Sequence, residues 1–279
     1  MLAKGPGITN LVDFKNNPIE CSCIGVACKA DGPSELTAAP CVDFKWGRTD
    51  AIDCSSDEGK FPDAGKAHNE IRTHFIDRLG FDNQEVVALM GAHTIGSATL
   101  EESHYGFYTD EVADGSDDTE GPRLPGQWDC RPDKFDNRYY TNLLSKRFQL
   151  QYHNHLNDIA QTPFDPPTFQ WHRGGAIVML NTDLSLIWEL ERTTDPITPG
   201  GRSPVQCGAT ALGRREDLFE ECEENVDFHP HVKTFADEIN GEEFWHSQWA
   251  NAWTKMQELG YGENGVKGEL HSITEVGCV

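Results

Sequence analysis

A short helical stretch that ends in a histidine, residues 85–96, constrains this chain more than any other part of it. Apolar residues recur at helical spacing along it and place His93 at the end of an apolar stripe. Asp82 is the expected N-cap, with Glu85 three residues later to complete a capping box, and Gly96 lies where a glycine could end the helix. Periodicity alone favours a buried core helix whose histidine bonds a carbonyl group.

Other segments change that interpretation. Gly59 to Ala64 and Ile71 to Leu79 precede the histidine, and Trp128, Phe135 to Tyr140 and Met179 to Leu186 follow it. In this order and at these intervals, the segments resemble the haem peroxidase superfamily of plants, fungi and bacteria, most of all its cytochrome c peroxidase and ascorbate peroxidase branch. The resemblance covers roughly residues 44–100, 126–146, 171–188 and 229–260. Agreement of three separated motifs favours a haem site over unrelated core positions.

The resemblance implies a role for three residues. His93 would ligate the iron of haem b, and Asp183 would accept the other ring N–H of that histidine. Such a carboxylate fixes the tautomer of the imidazole and makes it a stronger electron donor, which favours the more oxidised states of the iron. Trp128 would stack beneath His93 and bond the same aspartate. Taken alone, Trp128 could equally be an ordinary core residue.

The resemblance also implies a fold. We expect a mainly α, haem peroxidase-like helical fold that is truncated at its N-terminus and carries two acidic, irregular insertions. We expect one domain over residues 1–279, divided into a cysteine-rich part (1–60), proximal helices (61–100), an acidic insertion (101–125), a proximal haem pocket (126–191), a second insertion (192–228), C-terminal core helices (229–260) and a tail (261–279).

Local patterns predict several elements within this fold. A helix over residues 66–79 should stop at Gly80, and an aromatic-rich amphipathic helix around residues 244–256 should stop at Gly260. Residues 38–50 are expected to be extended. Residues 146–170, which contain three prolines, are expected to form an irregular excursion. Arg72 and Arg78 are expected to face solvent.

The distal side of a peroxidase needs a histidine to move the protons of hydrogen peroxide and an arginine to stabilise developing charge. In the family these residues form an Arg-x-x-(Trp or Phe)-His pattern, and no such pattern precedes His93. The two earlier histidines, His68 and His74, fall in the segment that the resemblance places between the two haem faces. The chain is therefore expected to begin after the distal helix.

Three functions remain open on this evidence. The chain could oxidise a small reductant with hydrogen peroxide, with only the proximal haem side visible in it. Alternatively, it could be a catalytically inactive extracellular structural or assembly module, with or without haem, that contacts protein partners through its acidic insertions. A haem carrier with an open distal face is the third. Fold is safer to assign than activity, because one fold hosts many functions.

Two further ligand sets follow from the resemblance. Ser97 and Thr99 occupy the places where relatives hold a haem propionate, and they offer hydroxyl groups in place of a charge. Thr94, Asp129 and Asp136 match places where relatives bind potassium or calcium, which prefer hard oxygen ligands. Alternatively, Asp136 and Asn137 simply cap the helix that follows them.

Charge and cysteine content limit the partners and the location. With 46 acidic and 23 basic residues the formal net charge is −23, which disfavours nucleic acid and anionic membranes. No apolar run approaches the length of a membrane span. Nine cysteines, without a clear zinc-binding pattern, predict disulfides and hence an extracellular protein. The acidic residues between Asp110 and Glu120 do not match a calcium loop and are expected to be solvated.

Overall fold

The computed structural model describes residues 40, 42–48, 62–64, 66, 68–98, 103, 105, 107–108, 123–124, 126–144, 148–153, 168–173, 177–192, 205–206, 222–262 and 268–272. Helices dominate this part of the chain. They are α1 (His68–Ile71), α2 (Asn83–Met90), α3 (Arg138–Leu143), α4 (Asn181–Leu184), α5 (His229–Phe235) and α6 (Gly241–Glu258). The predicted mainly helical class is confirmed. The division into seven parts stays a prediction.

Helix α2 begins as the sequence predicts. Asp82 Oδ1 accepts from the Glu85 backbone N–H at 2.8 Å, and Glu85 Oε2 accepts from the Asp82 N–H at 2.9 Å. This capping box satisfies two of the free N–H groups at the helix start. Val86 to Leu89 are buried, and α2 packs against α5 and α6. It is therefore a core helix whose C-terminal end points its residues into the site.

The helix predicted before α2 is present, but it is not purely α-helical. After α1 the chain continues as a π-helical segment, Arg72–Arg78, and Gly80 then adopts a φ of +73° that ends it. Arg72 was expected to be solvated. Its side chain is 39% exposed, as expected for a residue that faces solvent, and its guanidinium pairs there with the similarly exposed Asp227, in the turn before α5.

A small antiparallel sheet replaces part of the predicted irregular excursion. Its strands β4 (Gln149–His153), β5 (Thr168–Arg173) and β6 (Ile177–Met179) pair in that order, with Leu150 opposite Trp171 and Trp171 opposite Met179. The sequence Gln-Leu-Gln-Tyr-His alternates polar and apolar residues, which is the period of a strand. The three prolines, which suggested irregularity, lie outside the described residues.

Short antiparallel pairs complete the fold. β1 (Lys45–Trp46) pairs with β9 (His271–Ser272), within the segment predicted to be extended. β2 (Phe107–Tyr108) pairs with β3 (Arg123–Leu124), and β7 (Glu191–Arg192) pairs with β8 (Val205–Gln206). The β2–β3 pair lies near the two ends of the predicted insertion 101–125, and the β7–β8 pair joins the start of the predicted insertion 192–228 to its interior. The acidic residues from Asp110 to Glu120 lie outside the described residues.

Helix α6 forms one wall of the core. Trp245 is completely buried, its ring stacks on Phe135 with centroids 4.5 Å apart, and Gly260 ends the segment with a φ of +81°. The prediction of an aromatic core helix is confirmed, although Phe244 remains 39% exposed. No helix in the described part of the chain is long and apolar enough to cross a membrane.

Candidate functional site

The site begins where α2 stops being α-helical. After Met90 the chain tightens into a 3₁₀ turn, Gly91–Thr94, which carries His93. An α-helical continuation would have paired the Val87 carbonyl with the Gly91 N–H. Instead that carbonyl accepts from the Tyr140 hydroxyl at 2.8 Å, and the Gly91 N–H bonds the Ala88 and Leu89 carbonyls. The turn redirects His93 toward α4.

Gly91 is required at this turn because two side chains approach its backbone. A Cβ atom here would clash with the hydroxyl of Tyr140, and it would lie 2.6 Å from Nε1 of Trp245. Trp245 Nε1 donates to the Ala88 carbonyl at 3.0 Å. The close approach therefore joins α2, α3 and α6 directly behind the histidine.

His93 and Asp183 lie in contact, although 90 residues separate them in sequence. His93 Nδ1 lies 2.7 Å from Asp183 Oδ1. Asp183 is the third residue of α4, and its Oδ2 reaches back to accept from the Leu180 N–H at 2.7 Å. A capping carboxylate at the start of this short helix is thereby aimed at the histidine.

Two more side chains donate to the same carboxylate. Trp128 Nε1 bonds Oδ2 and the Tyr139 hydroxyl bonds Oδ1, each at 2.7 Å. With His93 Nδ1 and the Leu180 N–H, each oxygen of Asp183 accepts two hydrogen bonds. An ionised carboxylate has about four lone-pair positions, so its acceptor capacity is filled. This satisfaction makes a completely buried charge tolerable.

The pKa of Asp183 reflects two opposing effects. Burial by itself would raise the pKa, but the adjacent His93 and the hydrogen bonds to the carboxylate bring it below its usual value. The group is therefore a carboxylate near neutral pH and has no proton to donate. It follows that Nδ1 of His93 carries the proton in this contact, and the lone pair of a neutral imidazole lies on Nε2.

Aromatic rings hold the histidine on two sides. The His93 and Trp128 rings stack with centroids 4.5 Å apart and an angle of 28°, and Tyr139 meets His93 edge-on at 5.9 Å. Trp128 and Tyr139 are buried, whereas the His93 side chain is 31% exposed. Because Asp183 occupies Nδ1, Nε2 is the ring nitrogen left to bind a metal ion or haem iron.

Tyr139 is a residue of this site that the sequence did not reveal. It lies within the recognised segment from Phe135 to Tyr140, but nothing in that string distinguishes its hydroxyl from that of Tyr140. Burial and the charge of Asp183 raise the pKa of Tyr139 well above its usual value, so its hydroxyl keeps its proton and donates. The sequence could indicate only that the hydroxyl of a buried tyrosine needs a hydrogen-bond partner, without saying which partner.

The three residues expected to bind a cation lie together, with an arginine among them. Thr94 Oγ1 donates to Asp129 Oδ2 at 2.5 Å, and Asp129 Oδ1 accepts from the Arg131 backbone N–H at 2.6 Å. Arg131 Nη2 lies 2.8 Å from Asp136 Oδ2. Burial raises the pKa of Asp129 to about 7, and the hydrogen bonds from Thr94 and Arg131 offset only part of that rise.

The helix-capping alternative describes part of this cluster. Asp136 Oδ1 accepts from the Arg138 N–H, the first residue of α3, at 3.0 Å. Asn137 does not cap the helix. Its Nδ2 donates instead to the Phe235 carbonyl at 2.9 Å. Asp136 thus stabilises the start of α3, and a role in ion binding stays a prediction.

The remaining predicted residues are less constrained. Ser97 is exposed beyond the 3₁₀ turn, and Gly96 between them has a φ of +87°. Thr99 lies outside the described residues. The two earlier histidines have other partners: His68 bonds the Leu190 carbonyl, and His74 bonds Glu70.

Fold and site together define a mainly helical protein in which a buried carboxylate holds a partly exposed histidine. Comparison with known proteins agrees, because the family model described as Peroxidase matches residues 20–195. The chain belongs to this family, within the haem peroxidase superfamily and its cytochrome c peroxidase and ascorbate peroxidase branch. Membership implies haem binding and a peroxidase-type, oxidoreductase function for the family as a whole.

Individual relatives support the branch. The chain is 34% identical to the mitochondrial cytochrome c peroxidase of Candida glabrata, over 53% of this chain and 33% of that protein. It is 37% identical to the cytosolic L-ascorbate peroxidase 1 of Oryza sativa subsp. indica, over 40% of this chain and 36% of that protein. It is 36% identical to the peroxisomal L-ascorbate peroxidase 5 of Arabidopsis thaliana, over 39% and 32%. The chain thus spans about a third of the length of these relatives.

The extracellular location expected from the cysteines is wrong. The similar proteins are named as mitochondrial, cytosolic or peroxisomal, and nothing points to secretion. Cysteine number was the only basis for that expectation, and it does not by itself show that the residues pair. Of the nine cysteines, Cys130 and Cys222 lie among the described residues, so the disulfide framework stays a prediction.

Proposed function

We propose that this protein binds haem b through Nε2 of His93 and uses hydrogen peroxide to oxidise a small reductant. The observation that carries the proposal is the Asp183 carboxylate, which accepts four hydrogen bonds and leaves Nε2 of His93 as the available ligand atom. A histidine buried for structural reasons alone would have no need of an ionised, fully bonded carboxylate behind it.

The described residues fit a haem on the exposed side of His93. One ring nitrogen is held by a carboxylate, the stacked Trp128 fixes the plane of the imidazole, and the side chain of His93 remains 31% exposed. Bound haem would supply the redox chemistry with peroxide. Ser97 and Thr99 are proposed to donate hydrogen bonds to its propionates, although neither contributes a charge.

Asp183 has two functions in this proposal. It holds the Nδ1 proton of His93, which fixes the tautomer, and its negative charge makes the imidazole a stronger electron donor to a metal. The same carboxylate orients the indole of Trp128 through Nε1. Trp128 is therefore a rigid, electron-rich ring in contact with the ligand, suited to give up an electron during turnover.

Tyr139 limits how much negative charge Asp183 passes to the histidine. Its hydroxyl donates to Oδ1, the same oxygen that His93 uses. Two donors on one oxygen share its electron density, so the bond from His93 is weaker than it would be without the tyrosine. Tyr139 is a positioning residue in this scheme, since it acts through Asp183.

Peroxide-dependent turnover tests the function. Haem-loaded protein that includes an upstream segment with the distal arginine and histidine is expected to oxidise a phenolic reductant such as guaiacol with hydrogen peroxide, faster than an equal concentration of free haemin. Residues 1–279 alone, which lack that pattern, are not expected to do so. Trp128→Phe removes the indole N–H and is expected to slow turnover while leaving haem bound. Phe is the matched choice because it keeps an aromatic ring against His93.

The contrary result has a defined meaning. If haem binds to this longer protein with a histidine-ligated spectrum but peroxide consumption does not exceed that of free haemin, the peroxidase proposal fails. The result would then favour the alternative, a catalytically inactive peroxidase-like module that binds partners through its acidic insertions. Co-purification of a basic protein partner, lost in high salt, would be the corresponding observation.

A further inference from the structure

The segment that follows Trp128 contains an arginine that faces two buried carboxylates. Asp129 and Asp136 are each 1% exposed, and Arg131 lies between them in sequence. Its guanidinium Nη2 is 2.8 Å from Asp136 Oδ2, and its backbone N–H donates to Asp129 Oδ1 at 2.6 Å. One residue therefore contacts both acids, by charge in one case and by its backbone in the other.

This cluster connects directly to the site. Thr94, which follows His93, donates to Asp129, which follows Trp128. The Gly96 N–H, at the end of the 3₁₀ turn, donates to the carbonyl of Pro132 at 2.8 Å, and the Ala98 N–H bonds the Gly126 carbonyl at 2.7 Å. The segment from 126 to 136 and the turn that carries His93 are thus fixed to each other, and a disturbance of one is transmitted to the other.

A buried carboxylate such as that of Asp136 needs a nearby positive charge when it is ionised, because an uncompensated charge is strongly disfavoured away from water. A bound potassium or calcium ion would meet this need by gathering several oxygen atoms around itself. Three of the four carboxylate oxygens accept hydrogen bonds from Thr94 or from backbone N–H groups, and the fourth, Asp136 Oδ2, lies against the guanidinium of Arg131. Across the described ranges, no three acidic, histidine or cysteine side chains are grouped as a metal site.

The contact between Arg131 and Asp136 is one of charge more than of directed hydrogen bonding. Although Nη2 and Oδ2 are 2.8 Å apart, Oδ2 accepts no well-aligned hydrogen bond, and Nε of Arg131 is buried without a partner. A bidentate pair, which would have favoured arginine for its shape, is not formed. The contact therefore supplies positive charge to Asp136 without the bidentate geometry that distinguishes arginine from lysine.

We propose that Arg131 is the resident cation of this cluster and takes the place of the potassium or calcium ion expected from the sequence. It positions the segment from Asp129 to Asp136 and, through Thr94, the turn that presents His93. The residues expected to bind an ion are present, but they do not fit a bound ion while the arginine lies among them.

Thermal unfolding of the haem-free protein in defined salts tests the proposal without reference to turnover. For the unaltered protein, we expect the same Tm in potassium, calcium or choline chloride at equal ionic strength. For Arg131→Ala, we expect a Tm lower by about 5 °C in choline chloride. Potassium or calcium should restore much of that loss, because a small cation can then enter.

Three further variants make the result specific. Arg131→Lys keeps the charge and should remain insensitive to the ions. Arg131→Gln keeps a donor without the charge and should behave as the alanine variant, which covers the case in which alanine does not fold. Arg138→Ala is the comparison variant, because its Nε lies 3.7 Å from the same Asp136 oxygen and its charge also acts on Asp129; with the longer contact, it should lower the Tm less and gain less ion dependence than Arg131→Ala.

Two outcomes overturn the proposal. If potassium or calcium, but not choline, raises the Tm of the unaltered protein, an ion site exists beside the arginine. If Arg131→Ala and Arg131→Gln lose stability equally in all three salts, Arg131 contributes packing or hydrogen bonding, and its charge is not what the cluster needs. Neither outcome depends on whether the loaded protein is a peroxidase.

Discussion

Asp183 shows how a single residue can be costly to bury and still be retained. Its carboxylate is inaccessible to solvent, and its four hydrogen bonds come from four separate places in the chain. Each donor alone contributes about 1.5–3 kcal/mol to such a charged acceptor. The larger effect is geometric, because the carboxylate fixes His93, Trp128 and Tyr139 relative to one another.

At Asp129, unlike at Asp183, the effect of burial on the pKa exceeds that of the hydrogen bonds, and this predicts that stability depends on pH. The pKa of Asp129 is about 7 in the folded protein against an ordinary value of 3.8. Between pH 3.8 and pH 7, Asp129 is therefore protonated in the folded protein and ionised in the unfolded chain. Stability should therefore fall as pH rises from about 4 to about 7, by at most about 4 kcal/mol. Urea unfolding of the haem-free protein at several pH values measures the slope.

Asp129→Asn provides the control for this pH effect. The amide oxygen can still accept from the Arg131 N–H, and the amide nitrogen can donate to Thr94, so the contacts are conserved without a titrating group. The difference in unfolding free energy between the two proteins should grow with pH above about 4. A difference that stays constant from pH 4 to pH 8 would show that Asp129 titrates normally.

At the scale of elements, the 3₁₀ turn after α2 determines where His93 lies. The turn is possible because Gly91 admits the Tyr140 hydroxyl and Trp245 Nε1 to its backbone. Gly91→Ala is expected to destabilise the protein by about 3 kcal/mol or more, since the methyl group would clash and would displace two buried donors. Urea unfolding measures the loss.

Gly80→Ala is the matched variant for that experiment. Gly80 also has a special backbone conformation, with a φ of +73°, but a Cβ there meets nothing within 4 Å. Only the backbone strain remains, and we expect a loss of about 1 kcal/mol. Equal effects of the two substitutions would contradict the close packing inferred around Gly91.

Local signals in the sequence account for the elements that were predicted correctly. The capping box of Asp82 and Glu85, and the left-handed glycines Gly80 and Gly260, depend only on neighbouring residues. The π-helical segment, the 3₁₀ turn and the sheet of β4, β5 and β6 do not. The alternating pattern from Gln149 to His153 favours a strand, but a sheet also needs the pairing of β5 with β4 and β6, which no local pattern specifies.

The residues of the site can likewise be divided into those that the sequence revealed and those that it did not. His93, Trp128 and Asp183 could be named from the sequence because their segments resemble a family at matching intervals. The Tyr139 hydroxyl and the Arg131 guanidinium could not, because their importance depends on which side chain they face in space. Charge compensation in a buried cluster is a property of the packed molecule and leaves no local pattern.

At the scale of the whole molecule, the described core brings together residues from distant parts of the chain. The site uses the turn after α2, the segment before α3 and the start of α4, while α5 and α6 support them from behind. A family model matches residues 20–195 and so includes every site residue discussed here. The central claim for this assembly is that it holds haem iron at His93.

Titration of the haem-free protein with haemin, followed through the Soret band, tests that claim most directly. The unaltered protein should give a stoichiometric, histidine-ligated ferric spectrum, and Asp183→Asn should bind about 10- to 100-fold more weakly. His93→Ala should lose that spectrum, whereas His74→Ala, which removes a histidine bonded to Glu70, should keep it. An unchanged spectrum and affinity in His93→Ala would contradict the account.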